Sequence, residues 1–221
     1  MIYPNDNSRR NFGQLAELLI VFALIIIYIW QLRDGVSWIP ILMLIVASHF
    51  IRRESLNKLG FRPEDFKKCF RVYGEPVFVG MIGCIVYSGL ISILLFELPL
   101  REMTLNRAIR NLTEDIFSGF FQQYLLNGYF LNRLVGFFGD EKHPLASWRA
   151  AVLFSAIHFP NGFLMLITFW GGYFACLIFL KSGENRNLYF LALAHALLKF
   201  LLFILIPDRI SHGFKIGPGI V

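Results

Sequence analysis

The chain has 221 residues, of which 56% are hydrophobic and only 16% are charged, whereas soluble domains average roughly 25% charged residues. Its net charge of +6 does not indicate nucleic-acid binding, because the basic residues stand in short blocks between apolar runs and form no continuous basic surface. Three widely spaced cysteines exclude a disulfide framework and a CxxC metal site. The composition favours a membrane protein.

Seven apolar runs follow one another along the chain, and backbone groups in lipid must be satisfied within helices. The sequence therefore predicts an all-α, polytopic transmembrane bundle of about seven spans. Some runs are shorter than the roughly 20 residues of a full span, so we expect tilted or partly re-entrant helices. The predicted spans are residues 15–32, 36–50, 76–96, about 112–131, 145–159, 163–180 and 188–206.

The whole chain, 1–221, is predicted to form one membrane domain. Residues 1–50 hold two N-terminal spans, 51–72 a basic loop, and 112–206 the helices that carry the candidate chemistry. The loop contains seven Lys or Arg residues against three acids. The excess of positive charge on inner loops places this loop and the N-terminus in the cytoplasm, and the C-terminus outside.

Two neighbouring acids, Glu114 and Asp115, stand at the start of the fourth predicted span. Ionisable groups within spans are costly and often functional. Glu114, Ser118 and Gln122 recur every four residues, so they predict a polar stripe that faces the bundle interior. Alternatively, the two acids are interfacial charges that suit the positive end of a helix dipole.

Two histidines stand on later spans. His158 ends the fifth span, one turn after Phe154, and His195 lies deep in the last apolar run. Lys199 projects from the same helix face as His195. His158 alone fits a packed interfacial position. A lysine this deep either extends toward the headgroups or pairs with a carboxylate.

Glu114, His158 and His195 together have the groups that activate water in a dry site. A glutamate can take a proton from water, while histidines orient the water or stabilise an oxyanion. The same trio could hold zinc as a His2Glu site, although the chain lacks HExxH. We expect no cofactor, and a metal stays open.

The later motifs resemble those of a known family. Phe154-Ser-Ala-Ile-His158 is followed by Phe-Pro, His195-Ala-Leu-Leu-Lys199 comes in the last span, and the basic loop contains LNKLGFRPEDFKK. Over roughly residues 55–206 the chain resembles the CAAX-protease and bacteriocin-processing family of intramembrane glutamate endopeptidases. Its members carry Glu-Glu-x-x-x-Arg, usually followed by Gly, then Phe-x-x-x-His, then His-x-x-x-Asn/Asp.

The first family motif is altered here. Alignment on Gly119 puts Thr113 and Glu114 at the paired glutamates and Ser118 at the arginine. Alignment on Glu114 as the first acid also loses the arginine. Lys199 replaces the final Asn/Asp, and we expect it to pair with one of the two acids and to supply the missing cation.

The resemblance implies an intramembrane endopeptidase in which Glu114 activates water. His158 and His195 would orient the water and stabilise the oxyanion, with Lys199 as an electrostatic partner. Three neighbours complete the predicted site: Asp115, Ser118 and Phe154.

The implied partners are the lipid bilayer and a membrane-associated protein or peptide, cleaved near its C-terminus or tail, and no nucleic acid. The implied location is the bacterial inner (plasma) membrane. The alternative is a catalytically degenerate member that acts as a bacteriocin-immunity factor or membrane scaffold. A transporter is a further, less specific alternative.

Overall fold

The computed structural model describes residues 6–32, 35–95, 104–138 and 143–220. Within these ranges it contains helices and no β-strand, which confirms the predicted all-α bundle. π-helical turns extend the first helix over Tyr28–Leu32 and join the fourth to the fifth over Tyr124–Leu131. The α-helices are α1 (Asp6–Ile27), α2 (Ile39–Ile51), α3 (Phe66–Leu95), α4 (Leu105–Gln123), α5 (Asn132–Phe138), α6 (His143–Ala156), α7 (Gly162–Lys181), α8 (Leu188–Leu205) and α9 (Asp208–Ser211).

Several helices are suited to a bilayer. Four described stretches are long and apolar enough to cross it, and α2 is apolar but shorter. This supports an integral membrane protein, while the count of seven spans stays a prediction. The predicted end of the third span at residue 96 and the next residues, 97–103, lie outside the described residues. Helix α4 begins at Leu105, inside the predicted connection and earlier than the predicted start at about residue 112. The four long stretches are Phe12–Leu32, Pro63–Tyr87, Gly162–Lys181 and Leu188–Leu205.

Helix α3 begins at Phe66, inside the segment predicted as a loop. Its first turns are polar in sequence but pack against the 3-10 turn Gly183–Asn185, which follows α7, and against α8. The Cys69 thiol donates a hydrogen bond to the Asn185 carbonyl at 2.9 Å, and Lys68 Nζ donates to Asn185 Oδ1 at 2.7 Å. The Phe66 and Phe190 rings meet edge to face at 6.2 Å. These contacts give the polar and aromatic side chains in the first turns of α3 partners within the bundle. The loop predicted over residues 51–72 is therefore too long at its C-terminal end.

Helices α4 and α8 approach closely through small residues. A Cβ on Gly119 would lie 3.1 Å from the Ala192 carbonyl oxygen and 3.3 Å from His195 Cδ2. Small side chains let helix backbones pack tightly in a membrane bundle. The contact fixes which side of α4 faces His195.

A buried ion network joins α1, α2 and α5. Arg133, 1% exposed, donates through Nε to Glu17 at 3.0 Å and through Nη1 to Glu54 at 2.9 Å. Its Nη2 donates to Ser48 Oγ at 2.8 Å. His49 Nδ1 lies 2.5 Å from Glu54 Oε2, which also accepts from Arg133 Nη1 at 2.9 Å. Arg133 therefore bridges two carboxylates that come from different parts of the chain, and Arg52 Nη2 is a second cationic partner of Glu17 at 2.6 Å.

The network sets the protonation of Glu54, which lies in the connection after α2. Burial acts to raise the pKa of this carboxyl, but hydrogen bonds from His49 and Arg133 outweigh it and lower the pKa from 4.5 to about 2. Because the folded-state pKa is depressed, the stabilisation is complete above the unfolded-state value. It is lost as the pH falls toward 2.

The connection between α2 and α3 is fastened to the start of α8. Gly60 has φ +88°, and its carbonyl accepts a hydrogen bond from Leu188 N at 2.9 Å. Asn187 Nδ2 donates to the Arg62 carbonyl, while Asn187 Oδ1 caps α8 by accepting from Phe190 N at 2.9 Å. The connection thus holds the first turn of the helix that carries His195.

Gly60→Ala should lower the free energy of unfolding more than Gly183→Ala. Both glycines have positive φ, which costs an L-residue about 1–2 kcal/mol. A Cβ on Gly60 would also lie 2.7 Å from the Phe179 ring, whereas nothing lies within 4 Å of one on Gly183. Overpacking adds about 1–3 kcal/mol. Equilibrium unfolding in mixed micelles measures both variants, and equal losses would contradict the proposed clash.

Candidate functional site

The interior face of α4 is marked by three buried residues, Asp115, Gly119 and Gln123. They recur every four residues and lie on one side of the helix. Glu114 is exposed, because one residue turns the helix by about 100°. The prediction that Glu114 faces the bundle interior is therefore wrong, and the described contacts of the two histidines do not include it.

His195 lies against an amide and not a carboxylate. Gln123 Nε2 is 3.0 Å from His195 Nδ1, and Asn127 Nδ2 donates to Gln123 Oε1 at 2.7 Å. With its oxygen accepting from Asn127, Gln123 donates its N–H to His195 Nδ1. Neutral His195 then carries its proton on Nε2 and offers a donor.

His158 offers a hydrogen-bond acceptor, whereas His195 offers a donor. It is buried in the turn after α6, and its Nδ1 lies 2.8 Å from the Phe154 carbonyl, which can only accept. Nδ1 must therefore carry a proton, so neutral His158 offers a lone pair at Nε2. The Phe154 ring packs edge to face on the imidazole at 5.1 Å. Helix α6, which ends just before His158, and helix α8, which carries His195, both contact the π-helical turns Tyr124–Leu131.

A buried acceptor completes this polar group. Asn127 is fully buried, and its Oδ1 has no hydrogen-bond partner among the described residues. It lies in the π-helical turns that follow α4, and such turns are frequent at functional sites. The site thus holds one free acceptor on an amide, one on an imidazole and one imidazole donor.

Lys199 enters the bundle from α8 and binds the inner acid. Its Nζ lies 2.6 Å from Asp115 Oδ1 and donates to Ser118 Oγ at 3.1 Å. The ion pair predicted for Lys199 is present, and its partner is Asp115. Glu114 makes no ion pair among the described residues, so the cation neutralises one of the two acids only.

A double-mutant cycle should separate the two acids. Lys199→Met and Asp115→Asn should couple by about 1–2 kcal/mol in unfolding free energy, because they share one largely buried ion pair. Lys199→Met and Glu114→Gln are the matched control and should be additive. Unfolding in mixed micelles measures both cycles. Coupling to Glu114, or none to Asp115, would contradict the observed pairing.

Gln123 and Asn127 are not among the predicted site residues, because it is ionisable groups that mark a costly position within a span. Gln122-Gln123-Tyr-Leu-Leu-Asn127-Gly128 has the spacing of Glu-Glu-x-x-x-Arg followed by Gly. Alignment on Gly128 places amides at both motif glutamates and at the motif arginine. It fits the observed contact between Gln123 and His195, which alignment on Glu114 does not. The glycine and the spacing were the available signal.

The alternative of a zinc site was based on Glu114, His158 and His195. Within the described ranges, no three His, Cys, Asp or Glu residues are grouped so that they could hold a metal ion.

The candidate site lies within the part of the chain that matches a family model. Residues 105–201 match the family described as type II CAAX prenyl endopeptidase Rce1-like. The match runs from the first residue of α4 into α8 and includes Gln123, His158 and His195. No curated protein and no solved structure matches the chain significantly. The family match confirms the resemblance found in the sequence and suggests, at the family level, a CAAX-protease-type membrane hydrolase.

Proposed function

We propose that this chain, with a CAAX-protease-type architecture over residues 105–201, binds the C-terminus or tail of a membrane-associated protein without hydrolysing it. The observation that carries the proposal is the Gln123 amide, which lies 3.0 Å from His195 where the family motif has a glutamate. This is the catalytically degenerate alternative, made specific as a peptide-binding site.

A side-chain amide cannot take a proton from water at neutral pH, and general bases are His, carboxylates, Lys, Tyr or Cys. Gln122 and Gln123 keep the length of glutamate, so the shape of the site is retained while the base is lost. His195 itself is used as a donor, because its Nδ1 accepts from Gln123. His158 Nε2 keeps a lone pair, but Nδ1–H is held by the Phe154 carbonyl and no carboxylate contacts the ring among the described residues, so the proposal takes His158 as a hydrogen-bond acceptor.

The same side chains suit an extended peptide. A peptide group has one N–H donor and one carbonyl acceptor. His195 Nε2–H can donate to a carbonyl, and His158 Nε2 can accept from an N–H. Unpaired polar groups in a membrane interior are costly. A bound peptide would satisfy these atoms.

Hydrolysis is the second candidate, and Asp115 favours it. This carboxylate lies on the inner face of α4 and is held by Lys199 at 2.6 Å. In that mechanism Asp115 takes the proton from water while His158 and His195 position it. Hydrolysis through Glu114, the sequence-based hypothesis, would require α4 to rotate by about 100°.

The test uses purified protein in lipid nanodiscs and a dye-labelled, prenylated CAAX peptide. Fluorescence anisotropy measures binding, and mass spectrometry measures cleavage. We expect saturable binding and no product. Gln123→Ala should raise Kd about tenfold, because it removes the hydrogen bond that directs the His195 Nε2–H donor toward the peptide. Glu114→Gln is the matched control and should bind like the wild type.

Each contrary result points to one alternative. Product that is lost in Glu114→Gln would establish the sequence-based mechanism. Product that is lost in Asp115→Asn but kept in Glu114→Gln would establish the second candidate. Absence of both binding and cleavage would overturn the assignment of a peptide-binding site.

A further inference from the structure

A small basic pocket of about 100 Å³ lies where the first turns of α3 meet the end of α7. Both helices belong to stretches that are long and apolar enough to cross a membrane, so their ends lie near the lipid head groups. Gln123, His158 and His195 do not line the pocket, which is therefore distinct from the proposed peptide-binding site. Its lining residues include Lys68, Val72, Lys181 and Asn185.

Two exposed lysines line this pocket, and a ligand can reach both from outside the bundle. Lys68 Nζ donates a hydrogen bond to Asn185 Oδ1 at 2.7 Å. An ammonium group has three N–H donors, so Lys68 keeps two more for a ligand. Lys181 is the last residue of α7, and its exposed side chain is long enough to turn toward the same ligand. Neither lysine is bound to a carboxylate among the described residues.

No described Asp or Glu lines the pocket. Asp65, the acid nearest to Lys68 along the chain, is bound to Arg62 Nη1 at 3.5 Å. An anion beside the two lysines therefore meets no opposing carboxylate among the lining residues. Basic pockets between membrane helices are typical sites for the phosphate head groups of lipids.

An apolar stripe leads from the pocket along α3. Val72 lines the pocket, and Val79 and Val86 follow it at intervals of seven residues, which is about two helical turns. The three valines are 57%, 59% and 56% exposed, and they lie on the same face of α3 as Lys68. Only 6% of this apolar stretch is buried inside the bundle. The acyl chains of a lipid can therefore lie along α3 next to the two lysines.

We propose that this pocket binds phosphatidic acid, a membrane lipid whose head group is a bare phosphomonoester. The phosphate accepts hydrogen bonds from Lys68 and Lys181, and the acyl chains lie along the three valines. A phosphomonoester carries about −1.5 to −2 charges at neutral pH, which matches two ammonium groups. The pocket is much smaller than the roughly 300–1,000 Å³ of sites that enclose a whole small molecule, so it suits a head group of a few atoms.

Three related ligands fit less well. Phosphatidylglycerol carries a single negative charge, and its glycerol head needs additional space. Phosphatidylcholine brings a quaternary ammonium, which the two lysines repel. Inorganic phosphate has the same charged group as phosphatidic acid but lacks acyl chains, so it cannot use the apolar stripe on α3.

The test is equilibrium binding of radiolabelled phosphatidic acid to the full chain in dodecyl maltoside micelles. The competitors are phosphatidylglycerol and phosphatidylcholine with the same acyl chains, and inorganic phosphate. Lys68→Gln and Lys181→Gln should each raise Kd about fivefold or more, because each removes a cation beside an anionic head group. Lys67→Gln is the matched control, because it removes an exposed lysine of α3 that does not line the pocket. This control should bind like the wild type.

The expected order is phosphatidic acid tightest, phosphatidylglycerol at least fivefold weaker, and the other two competitors weaker still. Equal competition by phosphatidylcholine would overturn an anion site, and phosphatidylglycerol binding as tightly would overturn the phosphomonoester. Displacement by inorganic phosphate at the concentrations that suffice for the lipid would overturn a lipid ligand in favour of free phosphate.

The variants test the location of the site. Wild-type affinity in both Lys68→Gln and Lys181→Gln, or an equal loss in Lys67→Gln, would overturn it. All three lysines are exposed, so folding, checked by the unfolding midpoint, should be retained. The peptide-binding assay is independent of each of these results.

Discussion

Arg133→Met should lower the free energy of unfolding by about 3 kcal/mol, because it removes the buried cation that binds both Glu17 and Glu54. Glu17 then keeps only Arg52 as a cationic partner, and Glu54 keeps only His49 and the exposed Lys58. Methionine preserves much of the volume, so the loss reports the charge and the hydrogen bonds more than a cavity. Equilibrium unfolding in mixed micelles is the measurement.

Two controls test the cause of that loss. Arg71→Met removes an exposed arginine from α3 and should change the unfolding free energy by less than about 0.5 kcal/mol. Adding Glu17→Gln and Glu54→Gln to Arg133→Met should recover part of the stability, since no buried charge then lacks a partner. A loss below about 1 kcal/mol in Arg133→Met, or no recovery in the triple variant, would mean that the network contributes little.

Restoring the motif should create peptidase activity. We expect the variant that combines Gln122→Glu, Gln123→Glu, Asn127→Arg and Lys199→Asn to cleave a prenylated CAAX peptide. The rate should exceed that of the wild type by about 10²–10⁴-fold, the usual contribution of a general base. The arginine supplies the cation that the two new carboxylates need, and removing the lysine frees the site from its ion pair with Asp115. Mass spectrometry of the products measures the rate.

The control for this gain is Glu114→Gln in the restored background, which should leave the rate unchanged because Glu114 is exposed. His195→Ala in the same background should abolish the gain. If the restored variant folds and binds peptide but does not cleave it, the amides are not what prevents catalysis. The explanation for the lost activity would then be wrong.

The helices that the sequence predicted best are the most apolar ones. The last two spans were predicted at 163–180 and 188–206 and are found as Gly162–Lys181 and Leu188–Leu205. Both begin after an asparagine that caps the helix, Asn161 and Asn187. Long apolar runs with clear caps leave little freedom in register.

Helix α4 shows where sequence patterns alone are insufficient. Its acids are adjacent, and either Glu114 or Asp115 starts a stripe with four-residue spacing. The choice between them is made by the close contact of Gly119 with Ala192 and His195, which is a tertiary feature. A sequence contains the small residue but does not state which helix packs on it.

The connection between α2 and α3 has a consequence for changes in chain length. Surface loops usually tolerate insertions, but this one acts as a spacer of fixed length. Its Gly60 and Arg62 carbonyls bind the first residues of α8, while Glu54 near its start binds Arg133. An extra residue between these anchors would force one set of bonds to break.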